Sequence, residues 1–113
     1  MSDCLFCRIV AGDVPADVVL RTDQFVAFRD INPQAPVHVL VIPAAHHADA
    51  GGIAAADPAL AGDLLAAAAQ VAEAEGLSGG YRIVLNTGAD AGQTVFHVHA
   101  HVLGGRDLLW PPG

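Results

Sequence analysis

Two periodicities divide this chain. Short runs rich in β-branched and aromatic residues predict strands over Val18 to Arg21 and Phe25 to Arg29, with Thr22-Asp23-Gln24 between them as a hairpin connection. Val37 to Ile42 is strongly β-branched and is stopped by Pro43. The period then lengthens. Leu60, Leu64, Ala67, Ala68 and Val71 fall on one helical stripe. Asp57 is placed to cap that helix, Pro58 occupies its first position and Gly76 ends it. Small alanines on the stripe let the helix sit close to a sheet. Tyr81 to Asn86 and Thr94 to Leu103 read as two further strands, separated by a polar, glycine-bearing loop. Near the start, Asp3 is placed to cap a short helix over Cys4 to Val10, with Gly12 following its end. Asp13-Val14-Pro15 reads as a turn and residues 32–36 as a loop. Five strands, one long helix and one short helix, mostly joined by short turns, predict an α+β fold with an antiparallel sheet.

The last strand carries the most informative pattern, His97-Val98-His99-Ala100-His101-Val102. In an extended chain the three imidazoles share one face and the three apolar residues the other. The apolar face can enter a core. The imidazole face can be an ordinary polar surface, a metal site or a catalytic surface. A single zinc ion held by all three is disfavoured, because i and i+4 lie ~13 Å apart along a strand. His97 and His99 could chelate as a pair. The catalytic reading gains from the preceding stretch, Asn86-Thr87-Gly88-Ala89-Asp90-Ala91-Gly92-Gln93-Thr94-Val95, which can aim backbone N–H groups at an anion.

At 113 residues the chain predicts one domain with a modest core, for which oligomerisation is a natural supplement. The formal net charge is −7 and lysine is absent, so no basic stripe is available to track a nucleic-acid backbone. No apolar run reaches 18 residues, and the start Met1-Ser2-Asp3 shows no signal-peptide pattern. A cytoplasmic protein without membrane association is the expectation. Two cysteines three positions apart fit a reducing compartment better than a disulfide framework.

Cys4-Leu5-Phe6-Cys7 is also half of a zinc site. Two more ligands are needed, and His38, His46, His47 and His97 are the candidates. The alternative is a pair of reduced, partly buried cysteines with no metal. His47 reads as a surface residue, and His38, on a core strand, as a buried hydrogen-bonding group.

Together these features resemble the histidine-triad (HIT) family, whose His-x-His-x-His-x-x motif appears here as residues 97–103. The Hint branch of nucleoside phosphoramidases is resembled in Phe28-Arg29-Asp30-Ile31-Asn32-Pro33-Gln34-Ala35-Pro36 and Leu40-Val41-Ile42-Pro43. Gly80-Tyr81-Arg82, Gly92-Gln93-Thr94-Val95-Phe96 and the tail, residues 104–113, continue the likeness across a single domain of residues 1–113. The resemblance implies that His99 is a nucleophile forming a nucleotidyl-histidine. His101, the Thr94 side chain and backbone N–H groups around Gly92, Gln93, Thr94 and Val95 would stabilise the phosphate oxygens. Asp30 would hold the ribose hydroxyls, Leu5, Phe6, Ile9, Phe28 and Ile31 would surround a purine base, and Asn86 would lie near the phosphate. Phe28 and Ile9 read equally as core. Arg29 stands where such relatives often carry histidine, at the expected pocket rim. In zinc-bearing relatives the ligands match Cys4, Cys7, His46 and His97. The resemblance further implies a two-fold homodimer that extends the sheet, with the Trp110 tail completing the partner's site. The implied activity is hydrolysis of nucleoside 5′-phosphoramidates. Dinucleoside polyphosphate hydrolysis, nucleotidyl transfer and a nucleotide-binding interaction role with little catalysis are the alternatives.

Overall fold

One antiparallel sheet organises the chain, in the order β1-β2-β3-β5-β4. A computed structural model describes residues 3–113; Met1 and Ser2, which open the predicted domain and the start read as lacking a signal peptide, lie outside the described residues. The strands are β1 (Val18–Arg21), β2 (Phe25–Arg29), β3 (Val37–Pro43), β4 (Tyr81–Val84) and β5 (Ala100–Gly104), and the helices are α1 (Leu5–Val10), α2 (Ala50–Ala56) and α3 (Pro58–Ala74). The β1–β2 turn closes as its composition suggests. Thr22 Oγ1 accepts the N–H groups of Phe25 at 3.0 Å and Gln24 at 3.3 Å.

Each face of the sheet carries its own core. Ala27, Val39, Val41, Ala100 and Val102 meet Leu60, Leu64, Ala67, Ala68 and Val71 of α3. Asp57 Oδ1 accepts the Leu60 N–H at 3.0 Å, fixing the start of α3, and Gly76 follows its end with φ +74°. On the opposite face Val26, Phe28, Leu40 and Ile42 pack with Phe6 and Ile9 of α1. The strict alternation along β3, Val39 and Val41 to one side and Leu40 and Ile42 to the other, follows from the pleat. Among the described residues, no helix is long and apolar enough to cross a membrane.

Boundaries differ from the sequence expectation at several ends, including β3, which runs through Pro43 where it pairs with Phe25 instead of stopping before it, and β5, which runs one residue on to Gly104. The N-cap of α1 is Cys4, whose Sγ accepts the Cys7 N–H at 3.4 Å, and not Asp3. Strand β4 ends at Val84, short of Asn86. Strand β5 begins at Ala100, not Thr94. Residues 97–99 keep the alternation, but imidazoles and a loop carbonyl take over the hydrogen bonds of the ladder. His97 Nε2–H donates to Pro43 O at 2.8 Å, His99 Nδ1–H donates to His97 O at 2.8 Å, and Val98 N–H donates to His47 O at 2.7 Å. Helix α2, left unassigned by the sequence pattern, is capped by Asp49 and buries Ile53.

Candidate functional site

Two clusters of titratable side chains lie on the α1 side of the sheet. The first joins Cys4 and Cys7 of α1 to His46 of the β3–α2 loop and His97. Its donor atoms all lie within 4.8 Å of one another. Cys4 Sγ and Cys7 Sγ are each 3.4 Å from His97 Nδ1. Cys7 Sγ is 3.3 Å from His46 Nδ1, and the two Nδ1 atoms are 3.2 Å apart. A tetrahedral ion with metal–sulfur bonds of ~2.3 Å and metal–nitrogen bonds of ~2.0–2.1 Å sets ligand edges of ~3.3–3.8 Å. The observed separations match such a site. Protonation also fits. His97 is fully buried, and Pro43 O holds its proton on Nε2, so Nδ1 presents a lone pair to the thiols. Burial is the main cause that lowers the His97 pKa, with the neighbouring imidazoles adding to it. Cys4, Cys7, His46 and His97 are therefore placed to bind a metal ion, with Pro43 O orienting one ligand from outside.

The second cluster is Asp30, His38 and His101. Its tautomers are set from one end. The Gln34 N–H donates to His38 Nδ1 at 3.0 Å, so a neutral His38 carries its proton on Nε2. That proton faces His101 Nδ1 at 2.9 Å, with Asp30 Oδ2 at 3.4 Å. A neutral His101 then carries its own proton on Nε2. Burial lowers the pKa of both rings, and His101 is pushed down to about 4 by burial, His99 and His38 against a small opposing pull from Asp30. A metal on His38 Nε2 would force a proton onto Nδ1, against the Gln34 N–H. The second cluster is thus a directed proton chain rather than a second metal centre.

His99 lies between the clusters. Its ring stacks edge-on against Phe6, with centroids 5.1 Å apart, and against His101 at 4.9 Å. Its Nδ1–H is bound to His97 O, so in the neutral ring Nε2 is the lone-pair nitrogen. The three imidazoles therefore differ: His97 faces the thiols, His101 ends the chain that runs from His38, and the neutral His99 keeps its lone pair on Nε2.

The loop before the triad is braced by one residue. Gln93 is buried; its Oε1 accepts the Gly88 N–H at 2.9 Å, and its Nε2 donates to Ala48 O at 2.8 Å and Val95 O at 3.1 Å. The Gln93 N–H is held by Gly88 O, so this residue acts as a brace and its own amide is occupied. Gly92 takes φ +89°, a left-handed conformation that closes the short 3-10 turn Ala89–Ala91. Thr94 is exposed and Val95 half-buried.

Around this centre Phe6, Ile9 and Phe28 are buried against one another, while Leu5 and Ile31 are exposed. Asn86 is half-buried just beyond β4. Asp30 Oδ1 caps its own turn by accepting the Asn32 N–H at 2.8 Å. Arg29 does not reach this side. It sits on the α3 face and pairs with Glu75 and, at 3.8 Å, with Asp17. The Glu75 carboxylate raises the Arg29 pKa. His47 is half-buried and offers its carbonyl rather than its ring. Sequence reasoning gave His38 a buried hydrogen bond but missed its partner. The signal was available in the alternation of β3, which puts His38 on the same face as Leu40 and Ile42. A hollow of about 220 Å³ between β1 and α3 lies across the sheet from the histidines and belongs to neither cluster.

Residues 11–108 match the HIT domain family. An uncharacterised HIT-like protein of Synechococcus elongatus is 50% identical over 111 residues, spanning 98% of this chain and 97% of the relative. A HIT family hydrolase from Legionella pneumophila superposes with a TM-score of 0.94 at 47% identity, covering 98% of this chain and all of that one. A histidine triad nucleotide-binding protein from Candida albicans gives 0.84 at 31% identity, over 94% of this chain and 77% of its own.

Proposed function

This chain belongs to the HIT domain family, and from that premise we propose that it hydrolyses nucleoside 5′-phosphoramidates of the purine type through a nucleotidyl-histidine at His99. The observation that carries the reading is the fixed pair of tautomers, His99 with its lone pair on Nε2 beside His101 with its proton on Nε2. The hydrolase and nucleotide-binding relatives support it.

In the proposed reaction His99 Nε2 attacks the α-phosphorus and the P–N bond breaks. The leaving nitrogen takes a proton at the His101 end of the chain from His38. Water then attacks the phosphorus, the bond to His99 breaks, and a nucleoside monophosphate leaves. The water returns the proton taken in the first step. The Thr94 side chain, the N–H groups near Gly92 and Val95, and Asn86 serve the phosphate oxygens. Asp30 has oxygen lone pairs left for ribose hydroxyls, and Leu5 and Ile31 flank a base seated over Phe6, Ile9 and Phe28. Mixed sulfur and nitrogen ligands in a closed set of four favour structural zinc at Cys4, Cys7, His46 and His97. The zinc would hold α1 to the sheet and takes no part in the chemical steps.

Strand β4 lies at a sheet edge and exposes Tyr81, and α3 exposes Leu65. These surfaces support a two-fold homodimer with a sheet continued from subunit to subunit. The acidic charge and paired cysteines support a cytoplasmic site of action without nucleic acid or membrane.

Turnover of adenosine 5′-phosphoramidate, measured beside a diadenosine polyphosphate and with His99→Ala as control, tests the assignment. A marked preference for the phosphoramidate is expected. Preference for the polyphosphate would place the chain among hydrolases or transferases that share the intermediate. Nucleotide binding without turnover would make it an interaction protein.

A further inference from the structure

The metal cluster and the nucleotide site share two elements, His97 and α1. His97 offers its ring to the thiols and its carbonyl to His99. Helix α1 carries Cys7 on one side and Phe6 on another, and the Phe6 ring lies 6.0 Å from the His97 ring and 5.1 Å from the His99 ring. Its six residues are too few for a helix to hold its shape without tertiary anchorage. Its apolar anchors are few, with Phe6 and Ile9 the buried ones. Beyond these, α1 is held by a half-buried Val10, by the Arg21 Nη1–H bond to Val10 O at 3.2 Å and by the two sulfurs, and the chain contains no other cysteine.

We propose that Cys4 and Cys7 form a redox-releasable clasp, whose two-electron oxidation ejects the metal and weakens nucleotide binding by loosening α1. The inference rests on the metal reading above. The oxidant is a peroxide. One thiolate attacks a peroxide oxygen, giving a sulfenic acid as the O–O bond breaks. The second thiolate displaces hydroxide from that sulfur and the S–S bond forms. Peroxide takes up two electrons and two protons and leaves as two waters. The disulfide sulfurs are poor ligands, so His46 and His97 alone remain, too few to hold the ion. Cys4 at the N-cap and Cys7 one turn later bring their sulfurs close enough for this step without moving β3 or β5.

The test uses protein purified without chelator, with its zinc counted. Stoichiometric peroxide is added. Zinc release to a colorimetric chelator, intact mass, far-ultraviolet circular dichroism and the Kd for AMP are followed together. We expect one zinc released per chain, a mass lower by two hydrogens after the metal is lost, and a preserved sheet signal. Supporting groups around a site typically move its function ~10–100-fold, and AMP affinity should fall at least ~tenfold. Thiol reductant plus zinc should restore it. Cys7→His keeps a ligand but cannot form the disulfide, and its AMP affinity should not respond to peroxide. Protein that neither contains zinc nor takes it up overturns the metal reading and this inference with it. Zinc retained after disulfide formation overturns this inference alone. So does zinc lost at constant Kd, global unfolding on oxidation, or a Cys7→His protein as sensitive as the parent.

Discussion

Three histidines that look equivalent in the sequence are made unequal by single acceptors and donors. Pro43 O, His97 O and the Gln34 N–H decide which nitrogen of His97, His99 and His38 carries a proton. His99→Ala should lose at least ~10³-fold in kcat while still binding AMP, since removing a nucleophile disables a unit that acts together. Single-turnover hydrolysis and calorimetry check this, and substantial residual turnover would defeat the covalent route. His101 also predicts a pH effect on stability. Its folded pKa, about 4, lies below the ordinary value of 6.5. Between those values the unfolded chain binds a proton that the folded chain refuses, so stability falls as pH drops through this window. The loss approaches ~3 kcal/mol near its lower end. Urea unfolding at pH 6.5 and 4.5 measures it, and His101→Asn should flatten the dependence. An equally steep dependence in that variant would assign the effect elsewhere.

Among the elements, α3 and the hairpin were readable because their signals are local. Asp57 and Pro58 mark a start, and Thr22 organises a turn from its own side chain. Helix α2 was not readable. Its seven-residue Ala-Gly-Gly-Ile-Ala-Ala-Ala run sets two glycines against its alanines and buries a single side chain, leaving no apolar stripe to read, so packing decides it. The late start of β5 could not be read either. Period-two alternation survives over residues 97–99, whereas the exchange of ladder bonds for imidazole bonds depends on Pro43 and His47, some 50 positions away. The metal ligands were legible as a pair of cysteines and a list of histidines; choosing His46 and His97 required family likeness or coordinates. At the end of β5, a Cβ on Gly104 would meet both Leu77 Cδ atoms at 2.8 Å. Gly104→Ala should therefore cost ~1–3 kcal/mol by overpacking. Chemical denaturation checks it, and Leu77→Ala in the same chain should recover part of the loss. At α1, Cys4→Ser should lower zinc content well below one per chain; unchanged content would remove Cys4 from the ligand set.

For the whole molecule, the tail is the part most in need of a partner. Arg82 ties it down through Leu108 O and Leu109 O, yet Leu109 and Trp110 stay 76% and 83% exposed. Deleting residues 108–113 should alter selectivity among leaving groups more than it alters Tm, and sedimentation at micromolar concentration should give a dimer. A monomer, or unchanged selectivity, would return the tail to its own subunit. The two faces of the sheet also differ in kind. The α3 face is closed by a long capped helix, while the face that carries the histidines is closed by six residues of α1, two side chains of which are buried. Amide hydrogen exchange should separate them. The amides of β3 and β5 should exchange only through global unfolding, and those of α1 through a cheaper, local opening. Stripping the metal should accelerate α1 and leave β3 unchanged. The chemistry of this protein would then sit on its most easily opened wall, and its long-lived scaffold on the other.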